Sequence, residues 1–340
     1  MKKIFPLLIA ILVTTPLTKA QVATPLPILN ELAPGDVRQA AIAFVNITTA
    51  PGVEGAVMRV DTPERDADLW RSSIGFNAEF ALRESIINGY WGASITTGGL
   101  HDELTITDTT GKTALFDIDR DITSARVMGG FALPITQSFK LRPSLHLIAS
   151  RLKTDSQIRQ PVNALNTLSS DAPMDTSVLQ PSPFESALII DQDLSSSVNT
   201  LTTAINVEAL YDHWFGQQHQ IELNAQYTAA YSDSYDSSHD HLSFWAWNQN
   251  VQIKTRLSGP TPWQTANRKW RWNGYLNHTN FLDQDKSAIG FKYYYEFGGG
   301  LDWEWNSKPL NWFGLRYLGI RAGYIKGDDV EGANIGLTFR

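Results

Sequence analysis

The sequence predicts an all-β fold, a transmembrane antiparallel barrel whose strands, about twelve in number, run up and down through a bilayer. Three observations predict it. Apolar and polar residues alternate over segments of about ten residues along most of the chain. Aromatic residues collect at the ends of these segments, and the last segment is itself alternating and carries Phe339 next to the final residue.

The alternation is clearest between positions 289 and 305. Successive side chains of a strand point to opposite faces, so one set of alternate positions forms one face. The other set, which includes Lys292, Glu296, Gly298 and Asp302, suits water. The positions predicted to face lipid are Ile289, Phe291, Tyr293, Tyr295, Phe297, Gly299, Leu301, Trp303 and Trp305. On this assignment, Phe297→Arg hinders membrane assembly and Gly298→Ser does not.

A soluble β-sandwich also alternates, and the aromatic positions decide between the two folds. Tryptophans occur in pairs near segment ends, as in Trp245 with Trp247 and Trp270 with Trp272. Rings placed there form the two interfacial girdles of a barrel about 25 Å tall. A sandwich would instead concentrate its large rings in the middle of its strands, within the core.

Eleven segments are predicted as strands, and the even strand number of bacterial single-chain barrels calls for a twelfth. The twelfth is predicted at Gly55 to Asp61. Short turns are expected at one end of the barrel, including one from Gly259 to Asn267, and a long outer loop is expected near 153–200. The eleven segments are 72–84, 90–107, 121–134, 139–152, 201–214, 218–231, 241–257, 268–281, 288–305, 311–325 and 332–340.

The first 20 residues have the parts of a secretory signal: Lys2 and Lys3, an apolar run from Ile4 to Val13, and small residues before position 21. Removing them takes three lysines from the 28 basic residues and leaves 25 − 35 = −10 as the formal charge. Such a chain has no basic face for nucleic acid. Its lack of cysteine excludes disulfides and cysteine-ligated metals.

Residues 21–50 precede the barrel, which is predicted to occupy 51–340. Asp36 to Asn46 has helical spacing, with Asp36 as a candidate N-cap. A short helix inside the lumen, acting as a plug, is one interpretation of this segment. A first strand or a periplasmic tail is the other.

Several patterns together resemble a known family, the solitary autotransporter-like β-barrel domain of Gram-negative outer-membrane proteins. The resemblance covers most of the chain and implies a translocator-like barrel that lacks a passenger domain. It implies no catalytic residues. At the C-terminus, Arg340 follows the aromatic residue on which the family's assembly signal usually ends. The patterns are Ile42 to Val45, Gly52 to Gly55, Gly129 to Pro134, Lys140 to Leu145, and the closing Ile335, Gly336, Leu337, Thr338 and Phe339, of which Ile335, Gly336, Leu337 and Phe339 form the candidate assembly signal.

Charged residues of both signs fall on the faces predicted to point into the lumen. They form either a charged eyelet that selects ions or a network of ion pairs that fills the lumen, and the cost of burying unpaired charge favours the network. The residues are Glu79, Arg83, Arg126, Lys140, Arg142, Glu208, Glu222, Lys254, Arg256, Lys292, Glu296, Asp302 and Glu304.

Catalytic and metal-binding interpretations are weaker. His239, Asp240 and His241 are adjacent, and an extended chain points neighbouring side chains to opposite sides, which does not suit a metal. His278 has Asn280 nearby, but the sequence assigns no serine to it as a nucleophile. The expected function is non-enzymatic and needs no metal or cofactor.

The sequence therefore predicts a small or occluded pore, or a structural or surface-interaction barrel, in the bacterial outer membrane. The alternative is an outer-membrane protease or lipase with its active site at the rim. The expected partners are outer-membrane lipid and lipopolysaccharide, the barrel-assembly machinery, and an extracellular ligand at the long outer loop. Export of a separate polypeptide through the pore is a third hypothesis.

Overall fold

Twelve antiparallel strands close on themselves in a computed structural model of the chain, with β1 paired to both β2 and β12. The structure describes residues 52–62, 65–82, 86–107, 113–162, 196–216, 218–238, 243–282, 291–304 and 317–339. Every strand neighbours the strands before and after it in the sequence. The predicted up-and-down barrel of twelve strands is thus confirmed.

The strands differ in length, from 10 residues in β12 to 24 in β5. Within the described ranges, no helix is long and apolar enough to cross a membrane. The strands are β1 Gly52–Thr62, β2 Arg65–Ala81, β3 Asn88–Thr107, β4 Thr113–Pro134, β5 Phe139–Val162, β6 Ser196–Phe215, β7 His219–Ser237, β8 Trp245–Thr265, β9 Arg268–Phe281, β10 Tyr293–Glu304, β11 Tyr317–Gly327 and β12 Val330–Phe339.

The two ends of the barrel are distinct. Gly52 and Phe339, the outer limits of β1 and β12, lie at one end, which we refer to as the terminal end. The long connection between β5 and β6 lies at the other, the loop end. All twelve predicted segments correspond to strands, including the weakest, Gly55 to Asp61, which belongs to β1.

Several strand limits differ from the prediction, and two connections differ most. The long connection spans 163–195 rather than 153–200, because β5 and β6 pair from Thr154 and Ser196 onward. The turn predicted from Gly259 to Asn267 is mostly strand, since β8 continues to Thr265 through a register shift between Pro260 and Gln264. The shift lets the strand carry proline, which lacks an N–H for the ladder.

The outward face is apolar, as the alternation predicts. Along β2, Ile74, Phe76 and Phe80 point outward at 49–58% exposure, and Trp70 stands above them towards the loop end. On β12, Ile335 and Leu337 are exposed while Gly336 and Asn334 are buried. A belt of exposed aliphatic and aromatic side chains of this kind is what a lipid-facing barrel wall requires.

The alternation breaks at the start of β10. Phe291, predicted to face lipid, is fully buried and packs on Phe281 and Tyr294. Regular alternation begins only at Tyr293, which is exposed, with Tyr294 buried after it. The prediction for Phe291 is therefore wrong, because the residues before β10 are not part of the strand.

A cluster of buried apolar side chains fills the lumen towards the loop end. It includes residues from β1 to β6 and from β9 to β12, and Phe244, just before β8, packs against it. We refer to this cluster as the apolar layer. Its members are Ala56, Met58, Val60, Ala67, Leu69, Leu100, Ile122, Leu152, Val198, Phe281, Phe291, Tyr294, Ile325 and Val330.

Glycines on β10 and β11 leave room for a side chain that extends into the lumen. A Cβ at Gly298 would collide with the carbonyl oxygen of Ala322 and lie 2.7 Å from the Tyr275 hydroxyl. The same hydroxyl lies against Gly323 and donates a hydrogen bond to Asn334 Oδ1 at 3.0 Å. The prediction that Gly298→Ser is harmless is wrong, because the site has no room for a side chain.

Several predictions concern residues outside the described ranges. These are the signal at 1–20, the segment 21–50 with its candidate helix from Asp36 to Asn46, and the histidines His239 and His241. Arg83 and Trp305 also lie outside them.

Candidate functional site: a charged chamber in the lumen

A cavity of about 490 Å³ occupies the lumen between the apolar layer and the terminal end. Tyr294 belongs to both the cavity wall and the apolar layer, so the cavity stops where the layer begins. At the other end, the cavity reaches the exposed Gln137 and the half-buried Ser138, in the turn between β4 and β5. We refer to this cavity as the lumen chamber.

Glu54 anchors the first group of charges in the chamber. It is 3% exposed and lies between two guanidinium groups, at 2.7 Å from Arg71 Nη2 and 2.5 Å from Arg321 Nη2. The contact joins β1 to both β2 and β11. Because charge-assisted hydrogen bonds are about twice as strong as neutral ones, these pairs offset the cost of burying the carboxylate.

A second group links β2, β5 and β6. Arg142 donates through Nε to Glu208 Oε2 at 2.8 Å and through Nη1 to Glu79 Oε1 at 3.3 Å. Lys140 also contacts Glu79, at 3.2 Å. The guanidinium of Arg142 lies 4.5 Å from the centre of the Tyr90 ring, in cation–π geometry.

A third group joins β7, β8 and β10 near the terminal end. Arg256 donates to Glu222 Oε2 at 2.9 Å and to the carboxylate of Asp302. The chamber is therefore crossed by three sets of ion pairs, each holding together strands that are not all neighbours in the sheet. This arrangement agrees with the ion-pair network that the sequence favoured over an ion-selecting eyelet.

Arg126 and Lys254 differ from the other cations of the chamber. Arg126 is 4% exposed, and its Nε has no hydrogen-bond partner among the described residues. Within the same part of the chain, neither Arg126 nor Lys254 has a carboxylate at ion-pair distance. Both side chains line the chamber.

The structure brings most of the predicted lumen charges together in this one place. Lys292 and Glu304 do not line the chamber: Lys292 is exposed just before β10, and Glu304 is half-buried at the last position of that strand. Those that line it are Arg126, Lys140, Arg142, Glu208, Glu222, Lys254, Arg256, Glu296 and Asp302, and Glu79 contacts two of them.

Sequence reasoning missed three charges that the chamber depends on, Glu54, Arg71 and Arg321. The signal was present, because Arg71 alternates with the outward residues of β2 and Arg321 stands beside the outward Ile320. Glu54 was harder to recognise, since the alternation of β1 is weak. Only the closure of the barrel shows that β1 lies between β2 and β12.

Ser144 and His146 lie on the chamber side of β5. The Ser144 hydroxyl and His146 Nε2 are 2.9 Å apart, and both side chains are buried. A serine nucleophile also needs a group that orients the histidine. Among the described residues no carboxylate lies at ion-pair distance from His146, so the pair is assigned no catalytic role.

Those rim residues considered for catalysis that the structure describes do not assemble into a site. The ring of His278 stacks on Tyr295 at 4.5 Å and lies near Tyr293 at 6.1 Å, on the outward face. At the loop end, His101 Nδ1 lies 2.7 Å from Asp119 Oδ1 and 3.4 Å from Asp117 Oδ1. The hydrogen bond with Asp119 raises the pKa of His101 above 6.5, helped by the charge of Asp117.

No family model matches the sequence, and no curated protein matches it either. Solved structures do resemble the barrel. The β domain of the Bordetella autotransporter BrkA matches with a TM-score of 0.47 and 11% identity over 84% of this chain and 95% of that one. The translocator domain of the autotransporter NalP from Neisseria meningitidis has a TM-score of 0.47 and 9% identity, covering 92% and 99% of the two chains.

The transport unit of the autotransporter AIDA-I from Escherichia coli gives a TM-score of 0.47 and 10% identity, over 90% of this chain and 99% of that one. At these identities and TM-scores, no residue role is carried over from these proteins to this chain.

Proposed function

We propose that the protein is an integral outer-membrane barrel with an occluded lumen, closed towards the outside and open to the periplasm. The apolar outward belt supports insertion in a bilayer, since such a face in water would be an aggregation hazard. In this orientation the terminal end is periplasmic, and the long connection at 163–195 lies outside the cell.

The observation that carries the proposal is the apolar layer. Met58 on β1, Leu69 on β2 and Phe291 just before β10 are 0–1% exposed, so they fill the cross-section rather than line a water channel. A polar, hydrated lumen is the usual requirement for conduction through a barrel. An apolar constriction excludes water and ions instead.

The test is single-channel conductance, in a planar bilayer, of the refolded chain without residues 1–20, the predicted signal. We refer to this form as the mature chain, and it is measured beside a version that also lacks residues 21–50. The proposal expects no conductance steps from either version, because the barrel wall itself supplies the occlusion. A porin measured in the same bilayers checks that open channels are detected. Steps from the full mature chain would contradict the proposal, and steps from the shortened version alone would identify residues 21–50 as the plug.

The partners proposed for this function follow from its location. Lipopolysaccharide would contact the outward belt and the parts of the strands nearest the loop end. The barrel-assembly machinery would bind the outward residues of β12, where Ile335 and Leu337 are 61% and 44% exposed. The connection at 163–195 is the proposed place for an extracellular ligand.

A further inference from the structure

Two cations that line the lumen chamber, Arg126 and Lys254, make no ion pair with a carboxylate of the described residues. Each chamber carboxylate has a hydrogen-bond donor already. Glu54 has two arginines, Glu296 has the amide of Asn334, and Asp212 has the amide of Gln220. The remaining ones are Glu79, Glu208, Glu222 and Asp302, which are bound by Lys140, Arg142 or Arg256.

Arg126 is the first cation left over. Its guanidinium is buried on β4 and faces the chamber, and among the described residues it meets no acceptor. A buried arginine without an acceptor is destabilising, so its guanidinium favours an anion that enters the chamber. A planar guanidinium matches the oxygens of a carboxylate or phosphate, often with two hydrogen bonds.

Lys254 is the second, and it has a polar neighbour. On the facing strand, Asn224 pairs with Lys254 in the β7–β8 register. Asn224 Oδ1 is a buried acceptor with no donor within the described ranges, and both residues line the chamber. The two residues are thus neighbours on the chamber wall, where an ammonium suits an anion and an amide oxygen suits a hydroxyl.

We propose that the lumen chamber binds a small hydroxylated molecule that carries a carboxylate or phosphate. Arg126 binds the anionic group, and Asn224, beside Lys254 in the β7–β8 register, accepts a hydrogen bond from a hydroxyl. The cavity of about 490 Å³ lies within the usual range of ligand sites. Only the side of entry, the periplasm, rests on the proposed function.

The test is isothermal titration calorimetry on the refolded mature chain in detergent at constant ionic strength. Glucuronate is the carboxylate probe, inorganic phosphate is the phosphate probe, and glucose is the neutral control. Binding of either anion, with none of glucose, is expected and shows which anionic group the chamber prefers. Arg126→Gln should weaken binding about tenfold or more, because it removes a hydrogen bond to a charged group. Lys254→Gln should weaken it less, because it removes only one positive charge of the chamber wall.

The matched control is Arg59→Gln, which changes an arginine that is 55% exposed near the loop end. Its affinity should equal that of the unmodified chain. If Arg126→Gln does not refold, Asn224→Ala and Arg126→Lys supply the test, with weaker binding expected from both. Absence of binding by both anions, or equal affinity in all variants, would overturn the proposal. Conductance does not enter this experiment, so a failure here is separate from a failure of the occluded-barrel function.

Discussion

Glu54 is a carboxylate at 3% exposure whose two oxygens are each bound by an arginine from a different strand. Removing one partner of a buried ion pair leaves uncompensated charge, which costs about 3–5 kcal/mol. Glu54→Gln should therefore lower the free energy of unfolding by an amount in that range. The measurement is urea unfolding of the barrel in lipid vesicles, followed by tryptophan fluorescence.

Asp66→Asn is the matched control for Glu54→Gln. Asp66 pairs with Arg59 at 2.7 Å, but their side chains are 48% and 55% exposed. Exposed pairs contribute only about 0–1 kcal/mol. Equal losses from the two variants would show that burial is not what makes the Glu54 contacts important.

His101 provides a prediction about pH. Its pKa is raised above the ordinary value of 6.5 because it shares a hydrogen bond with Asp119. A raised folded-state pKa means that the stabilisation is complete below about pH 6.5 and is lost as the pH rises through the raised value. Asp119→Asn should bring the pKa of His101 back towards 6.5, as measured by an NMR titration of its imidazole.

The control for the titration is Asp233→Asn, which changes an exposed carboxylate on β7. This variant should leave the pKa of His101 unchanged. An unshifted pKa in the Asp119 variant would show that the hydrogen bond is not its cause.

At the scale of the strand, the assignment of faces can be tested on one antiparallel pair. Phe297 on β10 is 48% exposed on the outward side, and Asn277 on the neighbouring β9 lines the chamber. Phe297→Arg should destabilise the barrel by about 2–4 kcal/mol if it lies near the bilayer midplane. Asn277→Arg should cost much less, because its side chain enters a polar cavity.

The measurement is the folded fraction of each variant in lipid vesicles across a urea series, read from the shift in gel mobility between folded and unfolded barrels. Equal loss of folding in the two variants would contradict the outward placement of Phe297.

The strands were predictable in number and position, but their loop-end limits were not. Alternation of apolar and polar residues is strong only where the outward face meets lipid. Beyond it, β4 carries the charged residues Asp119 and Asp121 at exposed outward positions, so the contrast that marks a strand disappears. Pairing with β3 and β5 still continues the strand there, because backbone hydrogen bonds do not depend on that contrast.

The chamber was predictable in its residue types rather than in its contacts. Alternation assigned Arg142, Glu208 and Arg256 to the lumen, where they lie. Their pairing depends on barrel closure, as with Arg321 and Glu54, which are 267 positions apart in the sequence. A single sequence contains no signal for such a distance, and the apolar layer was missed for the same reason.

At the scale of the whole molecule, the lumen has two levels with different chemistry. The level near the terminal end is polar and holds ion pairs around a cavity, while the level near the loop end is filled by the apolar layer. A barrel that conducts needs a continuous wet path, which the layer interrupts. The proposed occluded barrel therefore depends most on whether this layer, rather than another segment, closes the lumen.

The most direct measurement is conductance of variants that thin the apolar layer in the mature chain. Phe281→Ala with Phe291→Ala removes two rings that pack on each other at 6.2 Å, and Met58→Ala with Leu69→Ala thins the facing strands. If the apolar layer closes the lumen, the unmodified chain gives no conductance steps, and at least one double variant that refolds gives discrete steps. The control, Ile205→Ala, changes an outward residue and should stay silent. Conductance steps from the unmodified chain, or no steps from refolded forms of both double variants, would contradict occlusion by the apolar layer.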